Sequence, residues 1–154
     1  MRGFTLIELL IVITITLILF VATVPIYGNL QVSSQLNENS SQIVQTLRVA
    51  RGRSVARVNN DQHGVYFAID VLGSQDKYVL YQGSNYSSRD SSYDREIILD
   101  QVLNLSLPGG ENEYEINFSK GLGVPNNTGT ITLTHDIQGD RQIIINKFGM
   151  VEEE

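Results

Sequence analysis

Glu8 is a carboxylate in an otherwise apolar stretch, GFTLIELLIVITITLILFVATVPIYG, which runs from Gly3 to Gly28 and contains only a few threonines besides. A carboxylate well inside a bilayer costs roughly 2.5–3.5 kcal/mol and is usually paired. The positions one helical turn away carry no cation: they are Phe4, Thr5, Ile11 and Val12. Glu8 therefore needs a partner from elsewhere if the stretch enters lipid.

A cation becomes available if the chain is cut after Gly3. Phe4 would then carry a free α-amine one helical turn from Glu8, and the amine of a neighbouring molecule could reach Glu8 as well. The alternative is that Glu8, near the end of the stretch, extends to the lipid headgroups. The residues alone leave both interpretations open.

The apolar run that carries Glu8 is long enough to span a bilayer. As a helix, Phe4 to Tyr27 would measure roughly 36 Å at about 1.5 Å per residue, against a hydrocarbon core of about 30 Å. Arg2 is the only cationic side chain before Arg48, which predicts an N-terminus in the cytoplasm. A removed secretory signal is the alternative, but its apolar region is usually about 7–15 residues long.

Gly3 followed by FTLIELL and an uncharged apolar helix resembles the class III signal of type IV pilins and pseudopilins. The resemblance implies cleavage between Gly3 and Phe4 by a prepilin peptidase, and N-methylation of Phe4. It also implies that Glu8 neutralises the α-amine of an adjacent subunit. Pro25 stands where pilins commonly have a proline, and its missing N–H predicts a helix kink there.

Beyond Gly28 a mostly apolar stripe predicts that the helix continues to about Val58. The stripe residues recur at spacings of three, four or seven: Leu36, Ile43, Leu47, Ala50, Ser54 and Val58. The run Asn59-Asn60-Asp61 predicts a stop. The stripe requires a cover, which the remainder of the chain must supply.

The remainder predicts short strands separated by turns rich in Gly, Pro, Asn and Asp. The strand candidates are 65–71, Tyr78 to Leu80, Glu96–Leu99, Val102–Leu107, Tyr114–Phe118, Gly129–Thr134 and Arg141–Asn146. The polar segment from Gly83 to Arg95 predicts an exposed loop. The fold class is therefore α+β, with a long N-terminal helix packed against an antiparallel sheet.

Two further segments resemble the GspH/FimT-like minor pseudopilins. They are LRVARGRSVARVNNDQHGVYF, and GTITLTHDIQGDRQIIINKFGMV, read as a hairpin, a glycine turn and a short last strand. The resemblance implies a leader over 1–3, a transmembrane or filament-core helix over 4–28, an amphipathic helix over 29–61 and a β-rich domain over 62–154. The absence of cysteine departs from the many pilins with a C-terminal disulfide and is compatible with a minor role.

The resemblance implies a non-enzymatic subunit of a type IV pilus, competence or type II secretion filament. Its partners would be the prepilin peptidase, other subunits bound through the N-terminal helix, and the cytoplasmic membrane. The C-terminal domain would be periplasmic or extracellular, and no cofactor is expected. The alternative is a pilus-tip binding module that contacts DNA or another ligand. All these machines share the signal, so the sequence does not indicate which one the chain serves.

Four arginines near the predicted helix end raise the question of nucleic acid: Arg48, Arg51, Arg53 and Arg57. At about 100° per residue they do not share one side of a helix. The net charge of -6 and the tail Glu152-Glu153-Glu154 also oppose phosphate binding. Nucleic acid is therefore not expected as a partner. Arg51 lies at the edge of the apolar stripe, where we expect it to pair with a carboxylate or extend to water.

Motifs for catalysis are absent from the sequence. His63 and His135 are the only histidines, and neither has the spacing of metal ligands. Asp136 and Asp140 flank a turn, which leaves a calcium site open as an alternative to ordinary turn chemistry. Four tyrosines could form an adhesive surface or pack within strands: Tyr78, Tyr81, Tyr86 and Tyr93.

Replacing Gly3 by alanine or a larger residue is expected to block cleavage, because the resemblance implies a peptidase that requires almost no side chain at this position. Intact-mass analysis of purified protein measures the outcome. The unaltered chain should begin at Phe4 and the Gly3→Ala variant at Met1. An unaltered chain that begins at Met1, or one cut well inside the apolar run, would contradict the class III interpretation.

Overall fold

The computed structural model describes residues 5–71, 75–137 and 139–154, and over residues 22–29 it describes the backbone only. Within these described residues, a single α-helix, α1 (Leu6–Val55), is followed by eight strands in two antiparallel sheets. The strands are β1 (His63–Ala68), β2 (Lys77–Gln82), β3 (Arg95–Ile98), β4 (Leu103–Ser106), β5 (Glu113–Phe118), β6 (Gly129–His135), β7 (Asp140–Ile145) and β8 (Val151–Glu153). The predicted α+β class, a long N-terminal helix on antiparallel β-structure, is confirmed.

The helix ends at Val55, before the predicted position Val58. Arg57 has a left-handed backbone conformation, with φ of 55°, and Asn59 follows with φ of 52°. Asparagine tolerates this region better than most residues, so the predicted stop at the asparagines lies in a short 3-10 turn (Val58–Asn60). Val58 is consequently outside the helix and 39% exposed.

The amphipathic half of α1 forms one wall of the core. The stripe residues before Val58 are all buried: Leu36, Ile43, Leu47, Ala50 and Ser54. The helix contacts β1, β2 and β5 in one sheet and β6, β7 and β8 in the other. Inward residues alternate along the strands, as Val65 and Phe67 do in β1, so each sheet turns one apolar face to the helix.

The strands are divided between two sheets, with orders β3-β2-β1-β5 and β4-β6-β7-β8. Each predicted strand coincides with an observed one, although the first ends at Ala68 instead of continuing to Val71. The division into two sheets was not predicted, because strand propensity does not specify pairing partners. The turns predicted around residues 72–74 and at Gln138 lie outside the described residues.

Asp76 joins the two sheets through its buried carboxylate. Oδ1 accepts a hydrogen bond from the N–H of Asp70 at 3.0 Å, and Oδ2 accepts one from the N–H of Leu105 in β4 at 2.7 Å. The Asp76 carbonyl accepts a third, from the N–H of Leu99 at 2.9 Å. A carboxylate that satisfies backbone donors on both sides of a junction fixes their separation.

The polar loop between β2 and β3 is anchored by aromatic stacking. The rings of Tyr66 and Tyr86 lie 3.7 Å apart and nearly parallel, at 4°. The Arg89 guanidinium covers the other face of Tyr86 at 3.7 Å and pairs with Asp94 at 2.7 Å. The predicted exposed loop is therefore largely exposed but held to β1.

Asp76→Ala is expected to lower the free energy of unfolding by about 1–3 kcal/mol for each buried donor left without an acceptor, Leu105 N–H above all. Urea unfolding of a fragment of residues 31–154 measures this. The fragment should fold alone because every buried core residue that the structure describes lies at Leu36 or later. Asp100→Ala removes an exposed carboxylate and should change stability by less than about 0.5 kcal/mol. Equal effects of the two variants would contradict the role of Asp76.

Candidate functional site

Thr5 and Glu8 together form the start of α1. Thr5 has extended backbone geometry, and its Oγ1 accepts a hydrogen bond from the N–H of Glu8 at 3.4 Å. The Thr5 hydroxyl also donates to Glu8 Oε2 at 3.5 Å. A threonine followed three residues later by glutamate is the spacing of a capping box. This cap was not predicted, although its spacing is present in the sequence. The carboxylate also lies where the helix dipole favours negative charge.

The helix surface after Glu8 is apolar and uncovered. Every described large apolar side chain from Leu6 to Val21 is at least 50% exposed. The hydroxyls of Thr14 and Thr16 donate to the carbonyls four residues earlier, at 2.8 Å and 2.7 Å. This back-bonding satisfies the threonine donors within the helix. The segment is therefore an apolar cylinder with one charged side chain, Glu8, near its beginning.

The other predicted site residues are described only in part. Gly3 and Phe4 lie outside the described residues, so cleavage and methylation there stay predictions. The helix continues without interruption through position 25, but the side chain of Pro25 is outside the described set and the kink stays a prediction. The span predicted over residues 4–28 is not confirmed, because no helix within the described residues is long and apolar enough to cross a membrane.

The N-terminal residues match a known family. Residues 1–24 match the family described as the prokaryotic N-terminal methylation motif. The chain carries a pilin-type methylation motif. No curated protein and no solved structure matches the chain. The methylation motif includes Gly3, Phe4 and Glu8, and it supports a type IV pilin-like processed subunit. The motif ends before the β-rich part, whose resemblance to the GspH/FimT-like subgroup stays a prediction.

Two of the four arginines considered for nucleic acid bind the C-terminal region instead. Arg48 Nη2 donates to the carbonyl of Val151 at 3.0 Å. Arg51 donates from Nε to Gly123 O and from Nη2 to Phe148 O, both at 3.2 Å. Of the two alternatives for Arg51, pairing with a carboxylate is not observed among the described residues. Backbone carbonyls of two loops bind its guanidinium instead, because the helix end lies beside both loops.

Two of the histidines and aspartates considered as ligands, His135 and Asp136, take part in ordinary contacts. His135 Nε2 lies 3.1 Å from Gln35 Oε1 on the helix, and Asp136 accepts a bond from Asn104. Within the described residues, no group of three or more His, Cys, Asp or Glu side chains could hold a metal ion. The calcium alternative at Asp136 and Asp140 therefore gains no support.

Three of the four tyrosines pack within the domain. Tyr78 and Tyr81 are buried, and burial raises the pKa of Tyr78 to about 12. The Tyr81 hydroxyl donates to Glu115 at 2.6 Å, while Tyr86 is covered on both faces of its ring. Only Tyr93 is substantially exposed, at 49%. These tyrosines therefore do not form a shared adhesive surface.

We expect the titration of the buried imidazole of His63 to lower the stability of the domain at acidic pH. Burial, and secondly the nearby Arg53, lower the pKa of this imidazole from its ordinary 6.5, against smaller opposing effects of Asp61 and Gln82. As the pH falls below 6.5, the unfolded chain binds the proton first, so the contribution of His63 to stability declines until the folded-state pKa is reached.

His63→Gln should therefore reduce the difference in unfolding free energy between about pH 7.5 and about pH 5.5. Urea unfolding at the two values measures it. The same pH dependence in the variant and the unaltered chain would show that another group is responsible.

Proposed function

We propose that the chain is a GspH/FimT-like minor pilin or pseudopilin, a non-enzymatic subunit of a type IV pilus, competence or type II secretion filament. A prepilin peptidase cuts between Gly3 and Phe4, and Phe4 is N-methylated. The N-terminal helix is held in the cytoplasmic membrane, with its N-terminus in the cytoplasm, and then packs against other subunits. The C-terminal domain lies outside the cytoplasm.

The observation that carries the proposal is the uncovered apolar surface of α1 from Leu6 to Val21. Exposed apolar surface of this extent marks a contact with lipid or with other protein. A subunit that is inserted in a membrane before it is assembled into a filament would place this surface first against lipid and then against other subunits. The methylation motif over the same residues agrees with the proposal.

Glu8 gives the assembly its specificity in this proposal. In apolar surroundings an ionised carboxylate requires a cation, and the Thr5 hydroxyl that it contacts is neutral. Cleavage after Gly3 would create the missing cation as the α-amine of Phe4. Pairing of Glu8 with the amine of a neighbouring subunit would then set the register between two otherwise featureless apolar helices.

The proposal assigns no catalytic role to the β-rich domain. Three of its charged groups have structural partners: Asp76 joins the sheets, Arg48 binds a carbonyl of β8, and Arg51 binds carbonyls of two loops. The tip-binding alternative gains no specific support, because two of the four arginines considered for nucleic acid, Arg48 and Arg51, donate to backbone carbonyls of their own chain.

Substitutions at Glu8 and Thr5 separate charge pairing from helix capping. Glu8→Gln removes the charge but keeps a side chain that is compatible with a capping box. Thr5→Ala removes the cap, at a cost of about 0.5–2 kcal/mol, and keeps the charge. We expect both Glu8→Gln and Glu8→Val to abolish incorporation into filaments, and Thr5→Ala to permit it. Sheared filaments from the native host, probed for the subunit, give the measurement.

All three variants must first show the mature mass in the membrane fraction, so that assembly is compared between equally processed chains. Normal incorporation of Glu8→Gln together with failure of Thr5→Ala would mean that Glu8 acts only as a helix cap. Normal incorporation of Glu8→Val would exclude both roles.

A further inference from the structure

The two sheets have four edge strands, and the chain itself closes two of them. At the β5 edge, the N–H of Asn126 donates to the carbonyl of Asn117 at 2.9 Å, and the Asn126 side chain accepts the N–H of Asn117 at 2.7 Å. At the β4 edge, both outward N–H groups have acceptors, that of Leu105 in the Asp76 carboxylate and that of Leu103 in the carbonyl of Asp100. Closing an edge in this way prevents pairing with another chain.

The edge of β8 is open. Gln142 and Glu154 exchange two backbone hydrogen bonds of 2.9 Å. In an antiparallel pair, every second residue bonds to the neighbouring strand and the residues between them turn their N–H and C=O groups away from it. The backbone groups of Val151 and Glu153 therefore point away from β7. Of these outward groups, the Val151 carbonyl accepts a bond from Arg48. The others have no partner among the residues that the structure describes.

A groove of about 630 Å³ lies between this edge and the end of α1, lined by Arg48, Arg51, Gly52, Val55 and the segment 149–152. A Cβ atom at Gly52 would meet nothing within 4 Å, so packing inside the chain does not require glycine, although glycine disfavours a helix. Val55 and Met150 add exposed apolar surface, at 44% and 48%. The groove thus combines an open strand edge with apolar walls. Arg48 and Arg51 also line it, and the bonds to backbone carbonyls do not use their Nη1 groups.

The edge of β3 is also open. The N–H of Leu99 donates to the carbonyl of Asp76, so the same alternation turns the backbone groups of Glu96 and Ile98 outward. No partner for these groups is found in the described parts of the chain. Ile98 is 57% exposed, and the Glu96 carboxylate pairs with the partly exposed Lys77 at 3.2 Å. This edge therefore offers an extended backbone with an apolar and an acidic side chain.

We propose that β3 of one copy docks into the groove beside β8 of the next copy, extending its sheet. The proposal rests on the filament function proposed above and requires that copies of this chain be neighbours in the filament. Neighbouring copies along a polar filament share one orientation and must join through two different surfaces. Pairing of β8 with β8 would require a two-fold axis. The chain presents two unlike open edges, and Glu96 would bring a carboxylate toward Arg48 and Arg51.

The chain contains no cysteine, so introduced thiols are the only ones in this chain. Two differently tagged full-length copies would be co-expressed, one with Glu152→Cys in β8 and the other with Ile98→Cys in β3. A short bismaleimide applied to membranes and to sheared filaments should give a product that carries both tags. Replacing Ile98→Cys by Ser106→Cys, on the closed β4 edge, should reduce that product to background.

A matched pair at Gly52 tests the groove itself. Gly52→Phe fills it and should abolish the cross-link, whereas Gly52→Ala adds one methyl group and should leave it intact. Equal amounts of both variants in the membrane show that the Phe variant is stable. If it is not, the comparison with Ser106→Cys decides alone.

Cross-linking through Ile98 that does not exceed cross-linking through Ser106 overturns the docking proposal. The filament function would stand in that case if the chain has the mature mass and occurs in sheared filaments. A chain that is never cut after Gly3 would instead overturn the filament function.

Discussion

The buried face of α1 between Leu36 and Ser54 is the surface on which both sheets depend. A sheet with one apolar face is not stable in water until another element covers that face. Here the same helix covers both sheets: Ile43, Leu47 and Ala50 are fully buried between strands of the one and the other. Asp76 then links the two sheets at one end through its hydrogen bonds to the N–H groups of Asp70 and Leu105.

The first half of the same helix has no such cover. The hydrophobic effect is non-directional. The apolar surface from Leu6 to Val21 therefore favours contact with any apolar partner, but it does not determine how two helices align. The alignment of the helix against its partner must be set by the few polar groups at the start of the helix. Thr5 and Glu8, which are linked to each other at the helix start, are the described groups able to set it.

The sequence is informative wherever structure follows from a local pattern. The stripe at Leu36, Ile43, Leu47 and Ala50 and the alternation in β1 were readable, because burial imposes a period on the chain. Contacts between residues far apart in the chain produce no periodic pattern in the sequence. Examples are the hydrogen bonds of Asp76 with Leu105 and of Arg51 with Phe148. These and the division into two sheets could not be predicted. The cap at Thr5 differs, since its spacing to Glu8 is a readable signal.

The stacked loop between β2 and β3 has a consequence for proteolysis. Exposed polar loops are the usual sites of nicking, and this one contains Arg89, a side chain that trypsin-like enzymes recognise. Arg89 lies against the ring of Tyr86 and pairs with Asp94, while Tyr86 stacks on Tyr66 in β1. A protease could bind this arginine only after the loop had detached from the sheet. Resistance to cutting at Arg89 is thus linked to local unfolding rather than to the exposure of the chain.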